Sequence, residues 1–232
     1  MNDISSASLR AFELLVSGDA ELWTIIGVSF SVSLRAILIA LPIALPVALL
    51  LAFGRFPGRR VLVTTFNSLM AVPAVVVGLT VYLMLSRAGP FGDLKLLFTQ
   101  TAMVIGQAVL ALPLLIAMAH AALQSADRRA WETALTLGAR RPRALLTVMH
   151  EVRFALMAAV IAAFGRVIAE VGVSLMVGGN ILNYTRNIPT AIALETSKGE
   201  FAQGIALGAV LLFLALLLNF FLNLFQGRGE LA

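Results

Sequence analysis

SADRRAWETALTLGARRPRALLTVMHEVR, residues 125–153, is the one long polar stretch in an otherwise apolar chain that is also patterned as structure. Ser125 or Asp127 is placed to N-cap a short helix, because a short oxygen-bearing side chain accepts from the first unpaired backbone N–H groups. Trp131, Ala134 and Leu135 follow at i, i+3 and i+4 on one face, and Gly138 stands where that helix must end. Pro142 suits the first turn of a second helix, since the N–H it lacks would have no partner there, and Leu145, Met149 and Val152 continue on one face. The expected product is helix, Gly turn, helix, too short to cross a bilayer and carrying Arg128, Arg129, Arg140, Arg141, Arg143 and Arg153. Trp131, Ala134, Leu135 and Leu137 form an apolar face outside the bilayer, and such a face requires burial against something.

Outside this stretch the composition places the chain in a membrane. Of 232 residues 60% are hydrophobic and 12% charged, with a mean hydropathy of +0.96, which is no soluble globular balance. There is no cysteine, so neither disulfides nor thiolate metal sites are available, and the two histidines, His120 and His150, are separated by the charged loop. No metal site is expected. The net charge of +5 lies in short loops beside apolar runs, which fits orientation in a bilayer better than nucleic-acid binding.

Five apolar runs, 22–53, 61–85, 99–123, 154–177 and 201–225, each reach the roughly 20 residues a span needs. Pro42 and Pro46 are expected to kink the first, while Pro73 and Gly78 weaken the middle of the second. With the N-terminus outside, the inner loops collect Arg55, Arg59, Arg60, Arg128, Arg129, Arg140, Arg141, Arg143, Arg153 and Arg228. That is ten of the seventeen basic residues. Arg10, Arg87, Lys95, Arg186 and Lys198 remain outside, so the positive-inside rule favours a cytosolic C-terminus. Residues 1–21 read as an outer tail with a surface-lying turn around Phe12 to Val16, and 178–200 as an outer loop. That loop includes a short helix from Pro189 to Ser197, closed by Lys198 and Gly199. The whole chain, 1–232, is expected to be one transmembrane domain, an all-α polytopic bundle.

Three charges fall inside the spans. A charge at the bilayer centre costs about 2.5 to 3.5 kcal/mol on insertion scales, so Arg35 must snorkel, pair or face a wet pathway. Arg166 and Glu170 lie four residues apart on one helix face, as an ion pair does; they either stabilise each other or border a pathway for an anion. No Gly-rich loop with Lys is present to cradle a nucleotide, and no nucleophile, base and acid stand in a catalytic pattern. The chain is expected to be a transport subunit without catalytic residues or a cofactor of its own. Without an evident internal repeat, a self-sufficient carrier is the weaker alternative, together with a channel.

Glu132-Thr133-Ala134 followed by Gly138 resembles the Glu-Ala-Ala-x-x-x-Gly motif of ABC-importer permeases, with Val148 at a further apolar position and His150 and Glu151 where that family has Leu and Pro. Other stretches resemble the molybdate and tungstate branch of these permeases. They are Val72-Pro73-Ala74 running to Gly78, Leu85-Ser86-Arg87-Ala88-Gly89-Pro90-Phe91-Gly92, Gln107 to Pro113, Phe164-Gly165-Arg166 with Glu170-Val171-Gly172, and Met176 to Ile181 with Thr185-Arg186. The run Thr190 to Gly199 looks most like the tungstate type. This resemblance implies a type I importer fold in the cell membrane, a homodimer, two copies of a cytosolic ATPase that bind the ATP and Mg, and an external binding protein. The cargo it implies is an oxyanion, tungstate before molybdate or sulfate. It also implies that Glu132, Thr133, Ala134 and Gly138, with Trp131 and Leu135 on the same face, dock on the ATPase. Arg166, Glu170 and Arg35 are the candidate pathway residues.

Overall fold

A computed structural model describes residues 17–227, and every regular element among them is helical. The expected surface turn at residues 12–16, Arg10 and Arg228 lie outside the described residues. The first helix, α1 (Ala20–Phe53), is continuous through Pro42 and Pro46, and Asp19 caps it by accepting from the Leu22 N–H at 2.8 Å. At 1.5 Å per residue its 34 residues extend about 51 Å, well beyond the hydrocarbon core. Its buried edge repeats every four residues: Val32, Ala36, Ala40, Ala44 and Ala48. Against this edge lies α4 (Gln100–Gln124), with Gly106, Ala108, Ala111, Leu115 and Ala119 turned inward. In lipid there is no hydrophobic force between helices, so close backbone approach through small residues has to supply the attraction.

Two expected spans are broken. The run 61–85 forms α2 (Arg59–Leu69) and α3 (Ala74–Leu85), bent 99° from one another. The cause is local: Pro73 has no N–H to give and pushes Val72 out of helical geometry, so the chain turns through Ala71 and Val72 before restarting. The run 154–177 forms α7 (Arg153–Ile168) and α8 (Gly172–Gly178). Here the carboxylate of Glu170 supplies what the break removes, its Oε1 accepting from the Gly172 N–H at 2.9 Å. Hydropathy averages over such breaks and does not see them.

Glycines let the broken pieces dock. A Cβ on Gly78 would meet the Val173 Cα at 3.0 Å, and one on Gly106 would meet Val173 Cγ1 at 2.5 Å, so α3, α4 and α8 converge where only glycine fits. Between α4 and α7 lie α5 (Arg128–Thr136) and α6 (Arg141–Glu151), as the sequence predicts, and α6 meets α7 at a 69° bend at Val152. The outer helix α9 (Ile188–Lys198) closes on Gly199 in the left-handed region, φ 81°. The last helix, α10 (Phe201–Gly227), packs on α7 and α9.

A chain of buried neutral polar groups ties four of these elements together. Ser33 of α1 donates to Gln107 Oε1 of α4 at 3.2 Å, and Gln107 Nε2 donates to Ser174 Oγ of α8 at 3.3 Å. Asn187, the N-cap of α9, donates to the same Ser174 oxygen at 2.9 Å and forms a capping box with Thr190. Ser29 accepts from the Ile188 N–H at 2.7 Å, fastening the start of α9 to α1. Gln107→Leu removes both interhelical bonds of the central amide. It is expected to lower stability by about 1–2 kcal/mol, the usual strength of two such bonds in a membrane. Thr80→Val, whose exposed hydroxyl bonds only to the Val76 carbonyl of its own helix, is expected to leave it unchanged. Thermal unfolding in detergent measures both.

Candidate functional site

At the inner end of the bundle the short helices α5 and α6 stand over the ends of α1 and α4. Asp127 is the N-cap, accepting from the Arg129 N–H at 2.9 Å, and Gly138 ends α5 with φ 84°. The Ala139 N–H closes the turn on the Ala134 carbonyl at 3.0 Å. No atom outside its neighbours lies within 4 Å of a Cβ built on Gly138, so the glycine is required by backbone conformation rather than by space. The second helix runs on through His150 and Glu151 and turns only at Val152. Its inner side, Ala144 and Val148, is buried.

The apolar face of α5 is only partly covered by the chain itself. Trp131 stacks on Phe53, the last residue of α1, with centroids 5.3 Å apart and planes 22° from parallel. Leu135 stays exposed, Leu137 is 82% exposed, and Leu146 on α6 is open as well. Glu132 and Thr133 are exposed, while Ala134 is half-buried. Between these helices and the ends of α1 and α4 is a cleft of about 1130 Å³, whose wall includes Phe53, Arg55, Gln124, Trp131, Glu132 and Arg141. The sequence predicted an apolar docking face; the structure adds that its tryptophan is anchored on the first span.

The intramembrane charges are separated into two places. Arg166 Nη1 and Glu170 Oε2 form the i, i+4 ion pair. Glu170 is 8% exposed and fully engaged, by Arg166 on one oxygen and the Gly172 N–H on the other. The Arg166 side chain keeps half of its surface open. Arg35 belongs to neither partner. Its side chain runs back along α1, Nε donating to the Ser31 carbonyl at 3.0 Å and Nη2 to Gln100 Oε1 at 2.7 Å. Gln100 in turn donates to the Tyr184 carbonyl at 2.7 Å, joining the outer loop to α1 through α4. Arg35 therefore both snorkels toward the outer end and pairs there.

Sequence reading passed over Phe53, Gln100, Ser174 and Asn187. Gln100 and Asn187 carried a signal, since each is a polar residue at the start of a helical run. Phe53 and Ser174 carried none, because only the packing of distant helices gives them partners.

The chain matches the family described as the binding-protein-dependent transport system inner membrane component over residues 19–229. It is 41% identical over 203 residues to a probable anion ABC transporter permease protein of Haloferax volcanii, covering 85% of this chain and 88% of the relative. To the tungstate uptake system permease protein TupB of Campylobacter jejuni it is 41% identical over 211 residues, 91% of this chain and 88% of the relative. The molybdenum transport system permease protein ModB of Escherichia coli is more distant, 28% identical over 188 residues, 77% of this chain and 82% of the relative. With 211 of its residues inside the family match, an all-helical bundle of apolar helices and a helical pair on its inner face, the chain belongs to the inner-membrane permeases of binding-protein-dependent ABC transporters.

Proposed function

We propose that this chain is the membrane permease subunit of an ATP-driven importer for an oxyanion, tungstate first, with molybdate and sulfate as the next choices. The observation that carries the reading is the cleft beside α5 and α6, lined by the exposed Glu132 and Leu135 and by the stacked Trp131 and Phe53. Relatives named as tungstate uptake permeases, at 38% and 41% identity over nearly the whole chain, support tungstate; relatives named for sulfate and molybdenum are at 27–29%.

In this reading the ATPase is a separate cytosolic protein that holds ATP and Mg, and this chain has no cofactor. Two copies of the chain, two ATPases and an external binding protein make the working assembly. Trp131, Glu132, Thr133, Ala134, Leu135 and Gly138 form the surface that meets the ATPase. A rigid stack has few soft torsions, so displacement of α5 is passed through Trp131 to Phe53 and along α1. Arg166 presents the open edge of its guanidinium to the pathway, Glu170 holds it in place, and Arg35 stands nearer the outer mouth. Alternation between outward-open and inward-open states then uses the docking helices as the lever.

Stimulation of ATP hydrolysis tests the assignment. The chain is reconstituted in lipid with its ATPase, and binding protein is added empty or loaded with tungstate, molybdate or sulfate. Loaded protein is expected to raise hydrolysis above the empty form, with tungstate the strongest. Movement of anion with no ATPase present would instead make the chain a self-sufficient carrier or channel.

Gly138→Val forces a β-branched residue into the left-handed region, at about 1–2 kcal/mol. It is expected to reduce ATPase co-purification and uptake severalfold while the chain remains in the membrane; Gly138→Asn, which tolerates that region, retains most of both. Arg166→Gln leaves the Glu170 carboxylate buried beside one N–H and is expected to cut folded yield severalfold. Adding Glu170→Gln removes the stranded charge, keeps an acceptor for the Gly172 N–H and restores the yield. Uptake that stays low in the well-folded double variant places Arg166 in the pathway; full recovery assigns it to structure alone.

A further inference from the structure

Helix α2 carries a polar stripe that nothing in the chain uses. Arg60, Thr64, Asn67 and Ser68 recur at i, i+4, i+7 and i+8, so they share one face of the helix, and all four are exposed. A second face, with Val63 and Phe66, packs on the main core, and a third exposes Leu62 and Leu69. The helix packs on α4 and, taken together with α3, forms a bent pair apolar enough to count as one span. Arg59 at its start donates to the Leu51 and Ala52 carbonyls at the inner end of α1, and beyond the bend α3 packs on α8 through Gly78.

The hydrogen bonding sets this stripe apart. On other helices the hydroxyls of Thr24, Ser29 and Thr80 bond back to the carbonyl four residues earlier, and on α2 itself Thr65 does the same to Val61 at 2.9 Å. Among the described residues no side-chain hydrogen bond is formed by Thr64, Asn67 or Ser68, and no ion pair by Arg60. A side-chain amide has two donors and an acceptor to satisfy, and hydrocarbon satisfies none of them. Hydrocarbon is therefore the wrong neighbour for this stripe, and water is one that satisfies it. All four side chains, a guanidinium, two hydroxyls and an amide, offer donors, and α2 itself carries no acidic residue.

We propose that Arg60, Thr64, Asn67 and Ser68 line a water-filled lane along which a tetrahedral oxyanion passes toward the cytosol. The proposal rests on the importer reading for the identity of the cargo. Arg60 marks the inner end of the lane, near the α1 carbonyls held by Arg59, and the neutral groups along the helix replace waters of the anion without holding it in a deep well. Two hydroxyls and an amide one turn apart match a cargo with four equivalent oxygens, each able to accept as the ion advances.

Because the chain has no cysteine, single replacements report on each face without further changes. Thr64→Cys, Asn67→Cys and Ser68→Cys on the stripe are compared with Leu62→Cys and Leu69→Cys on the apolar face. All are made in the full chain, reconstituted with its ATPase in lipid vesicles and exposed to a membrane-impermeant anionic methanethiosulfonate. The thiolate is the reacting form, and apolar surroundings raising the thiol pKa by one unit reduce it tenfold. Stripe positions are therefore expected to react at least about tenfold faster than the neighbouring face. Tungstate or molybdate is expected to slow the stripe reactions severalfold, and chloride to leave them unchanged.

Equal labelling of both faces overturns the lane. Rapid labelling with no protection by either oxyanion also overturns it, in favour of a helix lying at the lipid headgroups. Disulfide formation between two copies at Ser68→Cys, with no labelling, assigns the stripe to a contact between copies and overturns it as well. ATP-driven uptake by the cysteine-free chain in the same vesicles separates the two readings. Intact uptake with no stripe pattern removes the lane alone; a protected stripe pattern without ATP-driven uptake keeps the lane and removes the importer reading.

Discussion

A bilayer offers the backbone no hydrogen-bond partner, and the architecture of this protein follows from how its chain meets that constraint where helices break. Two spans are interrupted, at Met70–Pro73 and at Ala169–Val171, and each interruption frees N–H and C=O groups inside the membrane part of the fold. At the second break Glu170 spends one carboxylate oxygen on the Gly172 N–H and the other on Arg166. The ion pair is thus part of the backbone repair as well as a charge pair. Removing it exposes two unpaired groups at once, which is why intramembrane charge and broken helix occur together here.

Around these breaks the fold divides into stiff and adjustable parts. Helices α1 and α4 lie side by side through a stripe of alanines at four-residue spacing, and that contact is the most extensive between any two elements. Small side chains there bring the backbones close and have few rotamers to lose. The buried set of Ser33, Gln107, Ser174 and Asn187 then fixes α8 and α9 to this pair by neutral hydrogen bonds that need no charge in the interior. By contrast α2 buries none of its side chains fully and holds to the rest through Val63, Phe66 and the Arg59 contacts. The sharp bend, the weak burial and the polar stripe fall in the same segment, as expected where a helix borders water rather than protein.

In the proposed cycle, force and cargo reach this scaffold from opposite directions. At one end α5 and α6 rest on the end of α1 through the Trp131–Phe53 stack and the packing of Met149, while the loop before α9 reaches the same helix through Gln100 and Arg35. Helix α1 thus touches both ends of the proposed transport cycle. Its length and its alanine edge allow it to act as a strut between them.

Membrane class, the positions of the apolar runs and the short helices α5 and α6 were legible in the amino-acid sequence. Each depends on local facts: hydropathy over about twenty residues, Asp127 before a helical face and Gly138 after it. The same locality explains why the Arg166–Glu170 pair was visible, since four residues on a helix set the contact without help from elsewhere. The 99° bend between α2 and α3, the break before α8, the stacking of Trp131 on Phe53 and the Gln107 network were decided by tertiary structure. Proline and glycine mark where a helix is permitted to break. Whether it does break depends on whether a carboxylate, a neighbouring backbone or water is present to satisfy the freed groups, and those partners come from residues tens of positions away in the chain.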